Sequence, residues 1–264
     1  MTTEALAGKV GIITGGATLL GQGVVATCLA QGARVVVADI DDRGREIVER
    51  LGSPDASFSL VDITDDAALE RLVDETASQH GSLDFLVNLA CAYNDEGADS
   101  TRQQWANAFD VNVTSAARLA VLARRHLAAS GHGSIVNVSS VSSQVAQAGR
   151  WVYPATKAAV IQLTRSLALD FATEGIRVNS VSPGWTWSAV MDSLSGGDKA
   201  KTSRVAAPFH ITGRVAEPAE VGAVIAFLCS DAASIVTGAD WAADGGYSAM
   251  GPEQAGSAIP QLME

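Results

Sequence analysis

The chain of 264 residues is 47% hydrophobic, enough to bury a sizeable core, and its net charge of −11 argues against a nucleic-acid or anionic-membrane surface, both of which attract clustered Lys and Arg. Cys28, Cys91 and Cys229 stand far apart with no CxxC and no paired His, so neither a disulfide framework nor a zinc site is signalled, and a reducing cytoplasm fits. No basic leader with a long apolar run opens the chain and no apolar segment reaches about 18 residues, which gives no signal for secretion or membrane spanning.

In chain order, β-rich runs occur at Val10 to Thr14, Arg34 to Asp39, Ser57 to Val61, Phe85 to Asn88, Ser134 to Ser139 and Arg177 to Val181, with helix-like stretches between them. That rhythm predicts an α/β fold, and runs that are apolar throughout predict a doubly wound parallel sheet with helices on both faces, in one domain spanning 1–264. The piece from Trp185 to Gly213 is the longest irregular segment, either a substrate-covering lid or a solvated connection. The tail over about 250–264, with Pro252, Gly256 and Pro260, is expected to be extended, on the surface or against a neighbouring subunit.

Gly15, Gly16, Gly21 and Gly23 lie between the strand ending at Thr14 and the helical stretch Val24 to Gln31. A turn of this kind lets backbone amides approach a pyrophosphate at a helix N-terminus. Asp39 ends the next strand, where a carboxylate accepts hydrogen bonds from an adenosine ribose and repels a 2′-phosphate, so NAD(H) is favoured over NADP(H). The competing role for Asp39 is a cap for the helix beginning near Asp41, and Arg43 is the nearest cation that could reverse the preference.

Tyr153 and Lys157 stand four residues apart, and Ser140 precedes Tyr153 by thirteen. On a helix over 153–172 the phenol and the ammonium share one face. An ammonium about 4 Å from a phenolate favours that ionised form by roughly 4 kcal/mol at an effective dielectric of ~20, which suits the phenol to proton transfer.

Thr14-Gly15, Asp39, Asp62, Asn88, Asn112, Ser140, Tyr153, Lys157 and Pro183-Gly184 occur in the order and spacing of the short-chain dehydrogenase/reductase family, which the chain resembles over nearly its whole length. Phe227 to Ser230 and Ala243 to Gly246 look like that family's late helix and final strand. The resemblance implies a single Rossmann-like domain, usually a homotetramer or homodimer, that transfers a hydride between a nicotinamide cofactor and a small-molecule alcohol or ketone without a metal. It gives Tyr153 the role of general acid or base and Ser140 that of orienting the substrate oxygen. Lys157 would favour the ionised phenol and bind the nicotinamide ribose, and Asn112 would help hold a relay water. It also implies cofactor contacts from Gly15, Thr18, Leu19, Leu20 and Gly21 in the first turn, from Asp39 and Ile40, and from Asp62 and Ile63 beside the adenine. Asn88, Ala90, Cys91 and Val111 would follow along the cofactor, and Pro183, Gly184, Thr186 and Ser188 would meet the carboxamide.

Three positions depart from the family pattern. Leu19 replaces a usual glycine beside the pyrophosphate path, Cys91 replaces the glycine of Asn-Asn-Ala-Gly, and Ser143 stands where a glycine often follows the catalytic serine. Ser142, Trp151, Trp185 and Trp187 border the cleft in the family, and aromatic walls suit a cyclic or aromatic alcohol, although tryptophans also fill cores and interfaces. The leading reading is an NAD(H)-dependent oxidoreductase acting on a secondary alcohol or ketone. The alternatives are a cofactor-binding regulatory protein with weakened catalysis and an NADP-dependent carbonyl reductase.

Overall fold

The computed structural model describes residues 4–251, so the tail expected over 250–264 falls almost wholly outside the described residues. Seven strands form one parallel sheet in the order β3-β2-β1-β4-β5-β6-β7. They are β1 (Val10–Thr14), β2 (Arg34–Asp39), β3 (Ala56–Leu60), β4 (Phe85–Asn88), β5 (Ser134–Val138), β6 (Arg177–Pro183) and β7 (Asp240–Ala243). The helices between them are α1 (Leu19–Ala30), α2 (Gly44–Leu51), α3 (Asp66–His80), α4 (Arg102–Phe109), α5 (Ser115–Ser130), α6 (Val152–Phe171), α7 (Ala189–Ser195), α8 (Lys199–Ala206) and α9 (Pro218–Cys229).

Successive residues of the central strands point to opposite sides, and helices cover both faces there. Ile13, Val35, Val37, Phe85 and Val87 pack with Val24 and Cys28 of α1 and with Val221, Ile225 and Leu228 of α9. Their neighbours Ile12, Val36 and Leu86 pack on the other side with residues of α3 and α5 and the C-terminal end of α6. Cys28 and Cys229 are buried and unpaired. Burial pushes the Cys28 thiol up to about 12 and likewise raises Cys229, so both stay protonated and act as small apolar side chains. Among the described residues no helix is long and apolar enough to cross a membrane.

Several expected boundaries shift for identifiable reasons. Helix α1 begins at Leu19 rather than Val24, because the Thr18 hydroxyl caps it by accepting the Gly21 N–H at 3.0 Å; Gly21 and Gly23 therefore lie within its first turns. Strand β3 ends one residue early, yet Val61 still donates its N–H to Asp39 at 2.8 Å. Strand β6 runs on to Pro183, since β7 supplies partners for Ser182 and Pro183. The segment expected to be irregular from Trp185 to Gly213 instead contains α7 and α8, which start at the side-chain caps Ser188 and Asp198.

Candidate active site

Winding reverses between β1 and β4, and at such a switch point the carboxyl ends of the strands leave a crevice. The turn from β1 into α1 opens onto it. Gly15 has φ +70°, and a Cβ there would fall 2.7 Å from the backbone of Ala90. The Thr14 hydroxyl accepts the N–H groups of Leu89 (3.1 Å) and Ala90 (3.3 Å), fastening the turn to the chain beyond β4. A Cβ on Gly21 would lie 2.2 Å from the Gly15 carbonyl oxygen. Helix α1 has no acidic residue in its first turn, so its partial positive charge is free to meet a phosphate. This is a cradle that fits a dinucleotide. Leu20 packs against the core, whereas Leu19 stays half-buried and outside it. We expect Gly21→Ala to force α1 away from the turn and weaken dinucleotide affinity at least roughly tenfold; calorimetric titration with NAD would check this, and unaltered affinity would contradict the tight turn.

Asp39 is buried, with one carboxylate oxygen accepting the Ala17 N–H (3.0 Å) and the other the Asp41 N–H (3.1 Å). It therefore caps local backbone and faces the glycine turn, and each oxygen keeps a second acceptor site. Ile40 beside it is exposed. The Arg43 guanidinium pairs with Asp41, with Nε 2.9 Å from both carboxylate oxygens. Thr64 donates its N–H (2.9 Å) and hydroxyl (2.7 Å) to the exposed Asp62, in that order lowering its carboxyl below the ordinary value, while Ile63 packs on the second core.

The Asn88 side chain is buried at the end of β4. Its amide donates to Asn137 Oδ1 (2.8 Å), and Asn137 donates to Thr164 on α6 (2.9 Å), a buried relay across β4, β5 and α6. The Asn88 side chain is thus spent inside the fold.

Ser140, Tyr153 and Lys157 converge beyond β5. Ser139, the competing serine, donates to the Lys157 carbonyl (2.9 Å) and is committed to holding α6. Ser140 is also buried; its hydroxyl accepts the Ser142 N–H (3.2 Å) and donates to the Ser142 hydroxyl (3.2 Å), which itself donates to Gln147 (2.8 Å). Lys157 is 3% exposed, and its ammonium donates to the Val138 carbonyl at 2.7 Å and lies 5.6 Å from the centre of the Tyr153 ring. Asn112 sits in a π-helical turn, Asp110–Thr114, with half-buried Val111 beside it. Its amide accepts the Ala92 N–H (2.7 Å) and donates to the Ala92 carbonyl (3.1 Å) and to Thr156 (3.0 Å). Thr156 in turn donates to the Tyr153 carbonyl (2.8 Å).

Two residues of the loop after β4 join this group, of which Asp95 was not anticipated. The Tyr93 ring stacks on Tyr153 with centroids 4.8 Å apart. Although half its surface is exposed, burial of its phenol, followed by the neighbouring Cys91 and Tyr153, raises its pKa well above the ordinary value. Asp95 is the missing cap of α6. The residue preceding that helix is Trp151, which makes no side-chain cap. Instead Asp95 accepts the N–H groups of Trp151 (3.0 Å) and Tyr153 (2.9 Å), and also that of Gly97 (3.0 Å). Pro154 has no N–H, and Ala155 makes the first intrahelical bond to Trp151 (3.3 Å), so the donors left open at the head of the helix are satisfied from a distant loop. Burial opposes the Asp95 charge, but the N–H groups of Trp151, Tyr153, Gly97 and Val152 outweigh it and hold the carboxyl below its ordinary range. The one signal in the sequence was negative: Gly149-Arg150-Trp151 offers no capping side chain.

Trp185 and Trp187 bracket the segment that leaves β6. Trp187 donates its N–H to the Ala216 carbonyl (2.9 Å) and Ala216 donates to Trp185 (2.8 Å), clamping the two ends of the excursion through α7 and α8. Trp185 packs against Phe209 and His210, at 6.0 and 6.2 Å between ring centres, and Trp187 lies 5.8 Å from the Lys199 ammonium. Thr186 is buried beside Pro183 and Gly184, and Ser188 caps α7 through the Met191 N–H (3.4 Å). Trp151, by contrast, is 56% exposed at the head of α6. Shallow surface depressions between α3 and α5 carry the Arg124–Glu174 and Arg125–Asp74 ion pairs and lie apart from this group.

A parallel sheet whose glycine turn faces the switch point is the Rossmann-like architecture of dinucleotide-binding proteins. A family model described as "Enoyl-(Acyl carrier protein) reductase" matches residues 15–248. The chain is 37% identical to cis-4-hydroxycyclohexanecarboxylate dehydrogenase of Sinomonas cyclohexanicum over 251 residues, covering 94% of this chain and 99% of that one. It is 35% identical to L-fucose dehydrogenase of Bos taurus over 260 residues (96% and 94%) and 35% identical to 3-alpha-(or 20-beta)-hydroxysteroid dehydrogenase of Mycobacterium bovis over 243 residues (91% and 90%). The crystal structure of gox2181 superimposes with a TM-score of 0.83 at 32% identity, covering 93% of this chain and 98% of that one. The chain belongs to the short-chain dehydrogenase/reductase family.

Proposed function

We propose that the protein is an NAD-dependent dehydrogenase of a secondary alcohol carried on a ring, with Tyr153 as general acid and base. The observation that carries the reading is the buried Lys157 ammonium beneath the Tyr153 ring, with Ser140 at the end of the adjoining strand. NAD, when bound, supplies the hydride acceptor. In oxidation, Tyr153 takes the carbinol proton while Ser140 turns its hydroxyl from Ser142 to the substrate oxygen; in reduction both roles reverse. Lys157 keeps two N–H donors beyond its bond to Val138, available to a ribose and to the phenolate. Since both amide hydrogens of Asn112 are engaged, its part in a proton relay falls to its backbone carbonyl. The ring-bearing substrates named for the relatives support a cyclic alcohol.

The cofactor reading assigns the pyrophosphate to Gly15, Thr18, Leu19, Leu20 and Gly21 and the adenosine to Asp39, Ile40, Asp62 and Ile63. Ala90, Cys91 and Val111 follow along the cleft, and Pro183, Gly184, Thr186 and Ser188 meet the carboxamide. The segment clamped by Trp185, Trp187 and Ala216 serves as the substrate lid. Val121 on α5 and Leu169 on α6, both exposed, offer a surface for a homodimer or homotetramer, and unpaired thiols suit a cytoplasmic setting.

Asp39 tests the cofactor choice. A 2′-phosphate meeting this carboxylate pays like-charge repulsion, and Arg43, already paired with Asp41, offers no relief. We expect Asp39→Asn, which keeps an acceptor for the turn, to reduce the ratio of kcat/KM with NAD to that with NADP at least roughly tenfold. A wild-type preference for NADP, or an unchanged ratio in the variant, would sink the assignment.

A further inference from the structure

We propose that Arg150 is a specificity residue of this site and that the ring alcohol it selects carries a carboxylate, an inference that rests on the oxidoreductase reading above. Arg150 leaves a tight turn closed by a bridge to Gln147, and its guanidinium carbon lies 5.4 Å from the centre of the Tyr153 ring. The side chain is exposed, and it makes no hydrogen bond or ion pair among the described residues. Eight other arginines of this acidic chain pair with carboxylates among the described residues, whereas Arg150, over the ring of Tyr153, does not.

The nearby acids do not compensate it. Asp95 spends its oxygens on backbone N–H groups of the neighbouring residues, and Glu96 does not reach ion-pair distance. The other cation of the site, Lys157, is buried and bonded to Val138. A guanidinium over an aromatic face keeps its planar fork of N–H donors for another acceptor, and the acceptor that matches the fork is a carboxylate held through two parallel bonds. With the carbinol at the Tyr153 hydroxyl, a carboxylate across one ring from it meets Arg150. The guanidinium therefore selects an anionic substrate and fixes which ring carbon faces Tyr153.

Initial rates with cis- and trans-4-hydroxycyclohexanecarboxylate and with their methyl esters test this in wild type, Arg150→Gln and Arg150→Lys. The expected result is that Arg150→Gln raises KM for the acid at least roughly tenfold with kcat little changed and the ester unaffected, and that Arg150→Lys recovers part of the loss. Equal losses on acid and ester would mean that the guanidinium only braces Tyr153, and no loss on either would mean that it has no role; both overturn the proposal. A second readout needs no turnover, so it separates this inference from the oxidoreductase reading. Tryptophan fluorescence of NAD-loaded protein, titrated with cyclohexanecarboxylate and with its methyl ester, is expected to report acid-selective binding that Arg150→Gln abolishes. Equal affinity for both compounds, or acid binding retained in the variant, overturns the proposal even if no alcohol of the panel is oxidised.

Discussion

Tyr153→Phe is expected to lower kcat by roughly three orders of magnitude or more, in the upper part of the range for loss of a general acid–base group, while leaving NAD affinity within about twofold. The substitution removes one oxygen and keeps the ring, so the stack on Tyr93 and the approach of the Arg150 guanidinium survive. The backbone at 153 is unaltered as well, and its N–H still reaches Asp95. A fall in turnover therefore reports proton transfer rather than collapse of the site. The two quantities are separable by steady-state rates and by calorimetric titration with NAD. Residual activity within tenfold of wild type would remove Tyr153 from the chemistry.

Asp95→Ala ranks second. It touches no substrate in this account, yet it opens the N–H groups of Trp151 and Tyr153 and releases the loop from the helix that carries both Tyr153 and Lys157. Loss of an N-terminal cap costs about 1–2 kcal/mol, and a displacement of a reacting group on the order of 1 Å can cost ~10²-fold in rate. We therefore expect a lowered midpoint of thermal unfolding together with a roughly hundredfold lower kcat and nearly unchanged KM for NAD. Asp95→Asn, with one accepting oxygen, should fall between. The pH dependence follows from the lowered carboxyl. A depressed folded-state pKa makes the stabilising contribution fully present above the ordinary value of 3.8 and lost as pH falls through the lower folded value, so wild type and Asp95→Ala should converge in stability only in acid below that point. Faster amide exchange at 151–153 in the variant would tie the rate loss to the head of α6. A hundredfold loss with unaltered exchange would refute the positioning role.

How much of this was legible in the sequence varies with the range of the interactions involved. Strands β1, β2 and β4 end where the sequence indicated, because β-branched or apolar runs bounded by turn residues report a local pattern. The spacing of Tyr153 and Lys157 was equally readable, since α6 carries both at a fixed interval. Helices α7 and α8 escaped because each is short, starts at a single polar cap and is separated from the other by Gly196 and Gly197, which dilutes any helical period. For Asn88 the local motif left the side chain's partner unstated: strand alternation turns its amide into the core towards Asn137. Asp95 is the clearest limit, because it caps a helix 56 and 58 residues further along the chain, a pairing without local periodicity. Arg150 likewise becomes informative only when its missing partner can be seen.

The most direct test of the central claim is the absorbance of reduced nicotinamide, followed with purified protein, NAD or NADP, and a panel of cyclic, aromatic and sugar alcohols. Formation of NADH is expected with a cyclic secondary alcohol, with little reduction of NADP and no NADH formed by Tyr153→Phe. Formation of NADH at equal rates in wild type and Tyr153→Phe, or tight NAD binding with no oxidation of any alcohol or reduction of the matching ketones, would contradict it and favour a cofactor-binding protein that has kept the fold without the chemistry.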